Sequence, residues 1–233
     1  MTTAQPIDSE TPAWTAPRQS SVLIAFKVAV VAASSALFIS LAIRITAALV
    51  AGASAGFALP ALLLGYLLAD FITGTTHWFC DTFFETDTAI IGKTVIQPFR
   101  EHHVYPQRIT RYRFIEQDTT SFFLMLPLLA ATFAPGAPQP EGVGGLLGYC
   151  FVLGLSIGLF GTNLFHKWAH EDAPPAVIRW LQRRGLILSP ERHQRHHGDY
   201  SRGFCVTSGW MNPLLDAVSF FPRVERVVRF LQR

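Results

Sequence analysis

The sequence predicts an all-α membrane protein with four transmembrane helices and a histidine-rich cap at one membrane face. Half of its 233 residues are apolar and only 15% are charged, whereas soluble domains usually carry about a quarter charged residues. Four runs with little or no charge approach the roughly 20 residues that a helix needs to cross the bilayer. The formal net charge of +3 is too small to indicate nucleic-acid binding.

The first two transmembrane helices are predicted at residues 22–47 and 57–79. Lys27 and Arg44 bracket the centre of the first, and their long side chains can reach the membrane interfaces. The Gly-rich stretch AGASAGF is expected to turn the chain between the two helices. Asp70 lies inside the second run, where a carboxylate is costly unless it faces a polar cavity or a partner. Asp70 therefore indicates either a polar interior at this depth or a different helix boundary.

The other two transmembrane helices are predicted at 119–135, a short run that contains Pro127, and at 142–165. The segment 80–118 carries five Lys and Arg residues, the loop between these two helices carries none, and the tail 166–233 carries eleven. Because cytoplasmic loops are rich in Lys and Arg, the segment 80–118 and the tail are predicted to be cytoplasmic.

The remaining segments complete the predicted organisation. Residues 1–20, rich in Pro, Thr and Ser, are expected to form a disordered cytoplasmic tail, and residues 21–233 one membrane domain. The three cysteines form no C-x-x-C pair and are expected to be reduced and buried. The final VERVVRFLQR has a helical apolar period, which suits either a helix on the membrane surface or packing against the cap.

All eight histidines fall into four short groups, and two of these groups have i, i+4 spacing. The stretch HWFCD places His77 four residues before Asp81, and HKWAH places His166 four residues before His170. Residues four apart share one face of a helix. Each pair can therefore offer two ligands to one metal ion.

The other two groups are HQRHH and the adjacent pair in REHHVYP. A helical turn would gather His193, His196 and His197 on one side. His102 and His103 diverge by about 100° on a helix with 3.6 residues per turn. We therefore expect these two to reach different metals, or one of them to support the site from outside.

The four groups together indicate a site for two metal ions. Between His77 and His166 the chain is predicted to cross the membrane twice, which returns the later histidines to the same face. Eight imidazoles and one carboxylate are too many for one ion, which takes about four to six ligands. A structural zinc site needs only four ligands, and H-E-x-x-H is absent from the sequence.

Imidazole binds zinc, copper, iron and nickel alike, so ligand type alone does not select the metal. A pair of irons with open positions for O2 fits best, because removing hydrogen from an unactivated alkyl chain needs a strong oxidant. The apolar helices are then the place where an acyl or alkyl chain enters.

Five stretches resemble the motifs of the plasmanylethanolamine desaturase family, also called Kua or CarF proteins, whose lipid desaturase domain also occurs in plant plastid desaturases. These stretches are HWFCDT, PFREHHVYPQRITRYRFIE, NLFHKWAH, ERHQRHH and FCVTSGWMNPLLDAVSFFPRVE. The resemblance covers roughly residues 60–230. It implies a four-helix desaturase with two iron ions (Fe2+/Fe3+) and O2 as co-substrate. Its substrate would be an ether phospholipid in the bilayer, whose 1-O-alkyl chain becomes the vinyl ether of a plasmalogen.

The resemblance also implies the site residues, with no catalytic residue separate from the metal ligands. Ordinary acyl desaturases have the motif H-x-x-H-H at the place of His102 and His103, whereas this chain has Phe99 in the first position of that motif. Metal-bound histidines usually donate their second N–H to a carboxylate or carbonyl, so neighbouring polar residues are candidates for that role. The candidates are Asn163, Glu101, Glu171, Asp172 and Asp199. The ligands implied are His77, Asp81, His102, His103, His166, His170, His193, His196 and His197.

The predicted partners are the membrane and an external electron donor, either cytochrome b5-like or ferredoxin-like, since the chain has no flavin, haem or Rossmann motif. Arg179, Arg183, Arg192 and Arg195 could form a docking face for an acidic donor or simply reflect the positive-inside bias. Both termini and the histidines are expected in the cytoplasm. Without an organelle signal, a bacterial inner membrane is favoured over the endoplasmic reticulum.

Two other functions remain open from the sequence. The same metal core could serve an acyl-lipid desaturase, or a hydroxylase that acts on another lipid. A His-rich membrane metal transporter or sensor would also place histidine clusters at a membrane face. Carriers, however, bind their ions near the bilayer midplane, whereas most of these histidines lie in predicted cytoplasmic segments.

Overall fold

The computed structural model describes residues 19–232, which are helical over most of their length. Nearly all of the segment predicted to be disordered, residues 1–20, lies outside the described residues. The helices are α1 Ser21–Val50, α2 Ala58–Thr82, α3 Gln97–Val104, α4 Phe114–Gln117, α5 Thr119–Ala131, α6 Val143–His170, α7 Ala176–Arg183, α8 Pro190–Gly198, α9 Asn212–Ala217 and α10 Phe220–Leu231.

Three helices are long and apolar enough to cross a membrane: α1, α6, and α2 with the short 3-10 turn that precedes it. Ser20 caps α1, because its hydroxyl accepts the Leu23 N–H at 3.2 Å, and Gly52 turns the chain afterwards with φ of 98°. The helix predicted at 119–135 is present as α5, but it has only 13 residues. Three of the predicted spans are thus confirmed as helices of membrane length, and α5 is shorter than predicted.

The short helix α5 lies along α1 and α6. At one end the Lys27 ammonium donates to the Glu116 carbonyl at 3.4 Å. At the other end Arg44 and Tyr149 both donate to the carbonyl of Thr132, at 2.7 and 2.8 Å. Lys27 and Arg44 are separated by about 25 Å along α1, at 1.5 Å per residue. The chain from 116 to 132 therefore runs alongside more than half of the length of α1.

The pairing of α2 with α6 is the most extensive helix contact in the described structure. A Cβ atom on Gly65 would overlap the Phe151 carbonyl, and one on Gly154 would overlap the Leu62 carbonyl. Small residues at these positions let the two backbones approach closely, as in other membrane helix pairs. Further along, Gly158 of α6 lies against Ala69 of α2, so the two helices run in the same direction and end at the same face.

Residues 203–211 form a non-helical segment between α2 and α6, which we call the inserted segment. The Thr207 hydroxyl bonds the hydroxyls of Thr73 and Thr162 at 3.0 and 3.1 Å. Asp70 Oδ1 accepts three backbone N–H groups at 2.8–3.1 Å, and Oδ2 accepts a fourth at 3.0 Å; the donors are Thr207, Ser208, Gly209 and Met211. The partner of Asp70 is therefore backbone, which has to be hydrogen-bonded when it is buried among membrane helices.

Two other predictions concern the cap. The cysteines are free and buried, as predicted. Helix α10 packs against the cap on one side and is exposed on the other. Phe221 and Val224 belong to a hydrophobic cluster with the rest of the cap, whereas Val227, Phe230 and Leu231 remain exposed.

Asp118, which precedes α5, is fully buried, and its carboxyl oxygens have no hydrogen-bond partner within residues 19–232. Burial raises the pKa of Asp118 from 3.8 to about 7, although the positive charge of Lys167 lowers it. Desolvation penalises the charged form of a carboxyl group. An ionised Asp118 therefore destabilises the folded protein.

We expect Asp118→Asn to stabilise the protein at pH 8. The unfolded carboxyl ionises near pH 3.8 and the folded one near pH 7, so wild-type stability falls as the pH rises between these values. The advantage of the variant should grow over this range and then stay constant. Removing about 1 kcal/mol of this cost raises the melting temperature by roughly 2–4 °C. Melting curves of both proteins at pH 5 and pH 8 measure the effect, and equal differences at the two pH values would contradict it.

Candidate metal centre

Four helices bring the predicted ligands together at one end of the α2–α6 pair. His77 and Asp81 lie on the last turns of α2, and the HKWAH histidines lie on the last turns of α6. The REHHVYP pair lies on α3, and HQRHH lies on α8. Helix α8 begins where the Ser189 hydroxyl accepts the Arg192 N–H and Pro190 occupies the first turn. The HQRHH stretch is therefore helical, as its spacing predicted.

Five histidines converge through their Nε2 atoms, and we call them the five-histidine cluster. His166 Nε2 lies 2.8 Å from His193 Nε2 and 3.0 Å from His102 Nε2. His170 Nε2 lies 3.2 Å from His102 Nε2. His197 Nε2 lies 3.0 Å from His193 Nε2 and 3.1 Å from His102 Nε2. The ligand atoms of His102, His170, His193 and His197 all lie within 4.8 Å of one another, and His166 adjoins two of them.

The other four predicted ligands form a second group, which we call the aspartate cluster. Asp81 Oδ2 lies 3.2 Å from His77 Nε2 and 3.3 Å from His103 Nε2. His196 Nε2 lies 3.5 Å from the same oxygen and 3.3 Å from His103 Nε2. The structure thus brings all nine predicted ligands into two clusters.

The geometry of both clusters fits metal ions. Two nitrogens bound to one metal at about 2.0–2.1 Å, roughly at right angles, lie about 3 Å apart, close to the separations in the five-histidine cluster. Hydrogen bonds cannot account for all these contacts, because a neutral imidazole has only one N–H. In the aspartate cluster, His77 Nε2 and both Asp81 oxygens are buried without a hydrogen bond in the described chain, which is costly unless another group satisfies them. Imidazole with carboxylate is a donor set that iron accepts.

Burial keeps three histidines of the five-histidine cluster neutral. It lowers the pKa of His102 and His193 well below the ordinary value, and the neighbouring imidazoles lower both pKa values further. Burial and the nearby His170 lower the pKa of His197 to about 3. At neutral pH these rings therefore present lone pairs, which metal binding requires.

Backbone carbonyls orient two ligands of the aspartate cluster. His77 Nδ1 lies 3.1 Å from the Phe204 carbonyl, and His196 Nδ1 lies 2.8 Å from the Arg202 carbonyl. Since a carbonyl accepts, each Nδ1 carries the proton and each Nε2 is left to bind a metal. These partners could not be predicted from the sequence, since a backbone carbonyl has no side-chain signature.

Five side chains were predicted to support the ligands: Asn163, Glu101, Glu171, Asp172 and Asp199. Within residues 19–232 none of them bonds a histidine nitrogen. Glu101 accepts from Gln97, and Asn163 donates to the carbonyl of Gln117. The Asp199 carboxylate accepts from Ser201 and forms an ion pair with Arg202. Asp199 therefore supports His196 only indirectly, through the turn whose Arg202 carbonyl accepts from His196. A residue next to a helical ligand points about 100° away from it, which explains the error for Glu101.

Two helices each serve both clusters. His102 of α3 belongs to the five-histidine cluster and His103 to the aspartate cluster, so the adjacent pair divides. On α8, His193 and His197 belong to the five-histidine cluster, but His196 belongs to the aspartate cluster. The expectation that HQRHH gathers three ligands on one side is therefore refined, because its i+3 member faces the second cluster.

A cavity of about 280 Å³ adjoins the five-histidine cluster. It is lined by Ala169, His170, Pro190, Glu191, His193 and Gln194. It gives small molecules access to the side of the cluster formed by α6 and α8.

The sequence model of the lipid desaturase domain matches residues 66–233, which include both clusters. The chain belongs to the lipid desaturase domain family. Among relatives in this family, plasmanylethanolamine desaturase of Myxococcus xanthus is 43% identical over 171 residues, which is 73% of this chain and 60% of the relative. Plasmanylethanolamine desaturase 1 of Mus musculus is 37% identical over 174 residues, which is 73% of this chain and 64% of the relative.

A third lipid desaturase relative is the chloroplastic fatty acid desaturase 4 of Arabidopsis thaliana. It is 33% identical over 171 residues, which is 71% of this chain and 50% of the relative. The chain thus spans less than two thirds of the length of these three relatives. No solved structure matches the chain significantly.

Proposed function

We propose that the protein is a membrane-bound, O2-dependent desaturase that forms the vinyl ether bond of plasmalogens from 1-O-alkyl ether phospholipids. One observation carries the proposal: nine donors, five of them on buried residues, gather in two clusters at the end of two apolar helices. Two relatives named plasmanylethanolamine desaturase support the choice of substrate. The membrane helices suit a lipid whose chain lies in the bilayer.

The two clusters would hold two iron ions. The five-histidine cluster would hold one and the aspartate cluster the other. When bound, the iron pair supplies an O2-derived oxidant strong enough to remove hydrogen from an alkyl carbon. The protein contributes neutral imidazoles in a fixed geometry and excludes bulk water from them, since His77 and His196 are almost fully buried.

The electron balance requires an external donor. Converting CH2–CH2 beside the ether oxygen into CH=CH removes two electrons and two protons from the lipid. Reducing O2 to two waters takes four electrons and four protons. A reduced carrier protein therefore has to supply two electrons, and solvent two protons, in each turnover.

The fold supports four membrane crossings with the clusters in the cytoplasm. Helices α2 and α6 run in the same direction, so the chain between them has to return to the other face before α6 begins. Within the described residues 83–142, the apolar helix of ten or more residues is α5, so we assign the return crossing to α5 and the chain that flanks it. The distribution of Lys and Arg then places the clusters inside. We propose a bacterial membrane, because the Myxococcus xanthus relative is bacterial.

A second candidate is an acyl-lipid desaturase. The Arabidopsis thaliana relative named fatty acid desaturase 4 favours it. The same two clusters would serve that reaction, because the position of the oxidised carbons depends on how the lipid binds. The two candidates differ in their product.

Lipid analysis tests the proposed function. Plasmalogen-free cells that express the protein and are fed alkyl ether lipids should accumulate acid-labile vinyl ethers that release aldehyde. Cells expressing His166→Ala should accumulate none. A new acyl double bond without vinyl ether would establish the second candidate. Metal accumulation without any change in lipids would instead favour a transporter or sensor.

A further inference from the structure

The proposed function requires a route by which external electrons reach the buried clusters. Electron transfer between proteins weakens steeply with distance, so a carrier has to dock where a ligand approaches the surface. His77, His193 and His196 are at most 1% exposed, whereas the side chain of His103 is 13% exposed. The aspartate cluster thus approaches solvent at His103.

Tyr200 covers this approach. Its ring stacks on His103 with a centroid separation of 4.5 Å and an interplanar angle of 21°. It also lies 5.9 Å from the ring of His196, centroid to centroid. Yet Tyr200 is 52% exposed. One aromatic ring therefore contacts both solvent and two side chains of the aspartate cluster.

Two exposed arginines flank Tyr200 in the chain. Arg202 pairs with Asp199 at 2.6 Å, and the Asp216 carboxyl also interacts with it. Arg195 is exposed on α8 and makes no ion pair within the described residues. An unpaired surface charge of this kind attracts acidic partners and raises association rates.

We propose that Tyr200 is the contact through which an acidic one-electron carrier protein reduces the metal centre, with Arg195 as its docking charge. This inference rests on the proposed function. In each of two steps one electron leaves the reduced carrier, which is oxidised, and enters the ferric centre, which is reduced. No covalent bond forms or breaks at Tyr200. The ring makes the contact, so its hydroxyl is dispensable.

The structure also revises the docking face expected from the sequence. That face included Arg192, but Arg192 NH1 donates to the carbonyls of Gly185 and Ser208 at 3.3 and 2.8 Å. It therefore supports the inserted segment instead of meeting a partner. Arg183, on α7, is exposed and serves below as the comparison for Arg195.

The test measures reduction of the purified, iron-loaded protein without O2 or lipid, so it does not depend on desaturation. Reduced [2Fe–2S] ferredoxin and reduced soluble cytochrome b5 serve as acidic carriers, and dithionite as a small reductant. We expect Tyr200→Ala to slow reduction by the more effective carrier by at least about tenfold, the scale of a central aromatic contact in an interface. Reduction by dithionite should be unchanged, and Tyr200→Phe should resemble wild type.

A pair of charge reversals tests the docking surface independently of the ring. Arg195→Glu should slow reduction by the carrier and weaken its dependence on salt, whereas Arg183→Glu should change neither. Equal slowing by both reversals would overturn the proposed surface. Iron content and melting temperature of every variant should match wild type.

Four results would overturn the role of Tyr200. Two concern the rate of reduction by the carrier: Tyr200→Ala is reduced at the wild-type rate, or Tyr200→Phe is slowed as much as Tyr200→Ala. The other two are loss of iron from Tyr200→Ala and failure of both carriers to reduce wild-type protein that dithionite reduces. The proposed function fails separately, if wild-type protein binds no iron or makes no vinyl ether. If the wild type makes vinyl ether but the carrier reduces Tyr200→Ala at the normal rate, only this inference is contradicted.

Discussion

His193→Ala is expected to remove the metal proposed for the five-histidine cluster and to abolish the proposed formation of vinyl ether. His193 is 1% exposed, and its Nε2 lies within 3.4 Å of those of His102, His166 and His197. Its loss leaves a cavity and removes a donor that no neighbour can replace. Outer contacts of a metal site already contribute about 10–100-fold to affinity or activity, so loss of a direct ligand should have a larger effect. Elemental analysis should show the metal content fall from two ions per chain to one or fewer.

A matched change elsewhere in the cap separates this effect from general damage. Gln107→Ala alters an exposed polar residue outside both clusters, and it should keep two metals and wild-type product levels. If His193→Ala still held two ions per chain, the assignment of the five-histidine cluster as a metal site would be wrong.

The sequence predicted which side chains come together, because the spacing of histidines is a local property of helices. The i, i+4 pairs of α2 and α6 meet as expected, and the 100° step between His102 and His103 divides that pair. The position of His196 could not be predicted, because it depends on how α8 is rotated against two other helices. The partners of Nδ1 could not be predicted either, since Phe204 and Arg202 act through their carbonyls.

The membrane helices were predictable from hydropathy, but their exact lengths were not. An apolar run shows where a helix can lie, whereas its end depends on local hydrogen bonds. Helix α5 ends at Ala131, and the hydroxyl of the next residue, Thr132, donates to the Leu129 carbonyl at 2.7 Å. Pro127 lies inside α5 without ending it. The cost of Asp70 in an apolar run was evident from the sequence, but its partners lie about 140 residues away in the chain.

Asp70→Asn is expected to destabilise the inserted segment and the aspartate cluster together. An asparagine keeps one acceptor oxygen, but its NH2 group would face the N–H of Met211, which now donates to Oδ2. It also loses the negative charge that strengthens the other three bonds to Oδ1. Leaving a buried donor without its acceptor typically costs about 1–3 kcal/mol. The inserted segment carries the Phe204 carbonyl that orients His77, so both melting temperature and metal content should fall.

Asp118→Asn provides the matched control, because Asp70 and Asp118 are both fully buried but differ in their partners. Asp70 accepts four N–H groups, whereas the oxygens of Asp118 have no partner within residues 19–232. The same substitution should therefore act in opposite directions: Asp70→Asn lowers the melting temperature at pH 8 and releases metal, and Asp118→Asn raises the melting temperature and retains it. Wild-type melting and metal content in Asp70→Asn would show that this carboxylate does not hold the inserted segment. Stability would then depend on the threonine contacts between α2, α6 and Thr207.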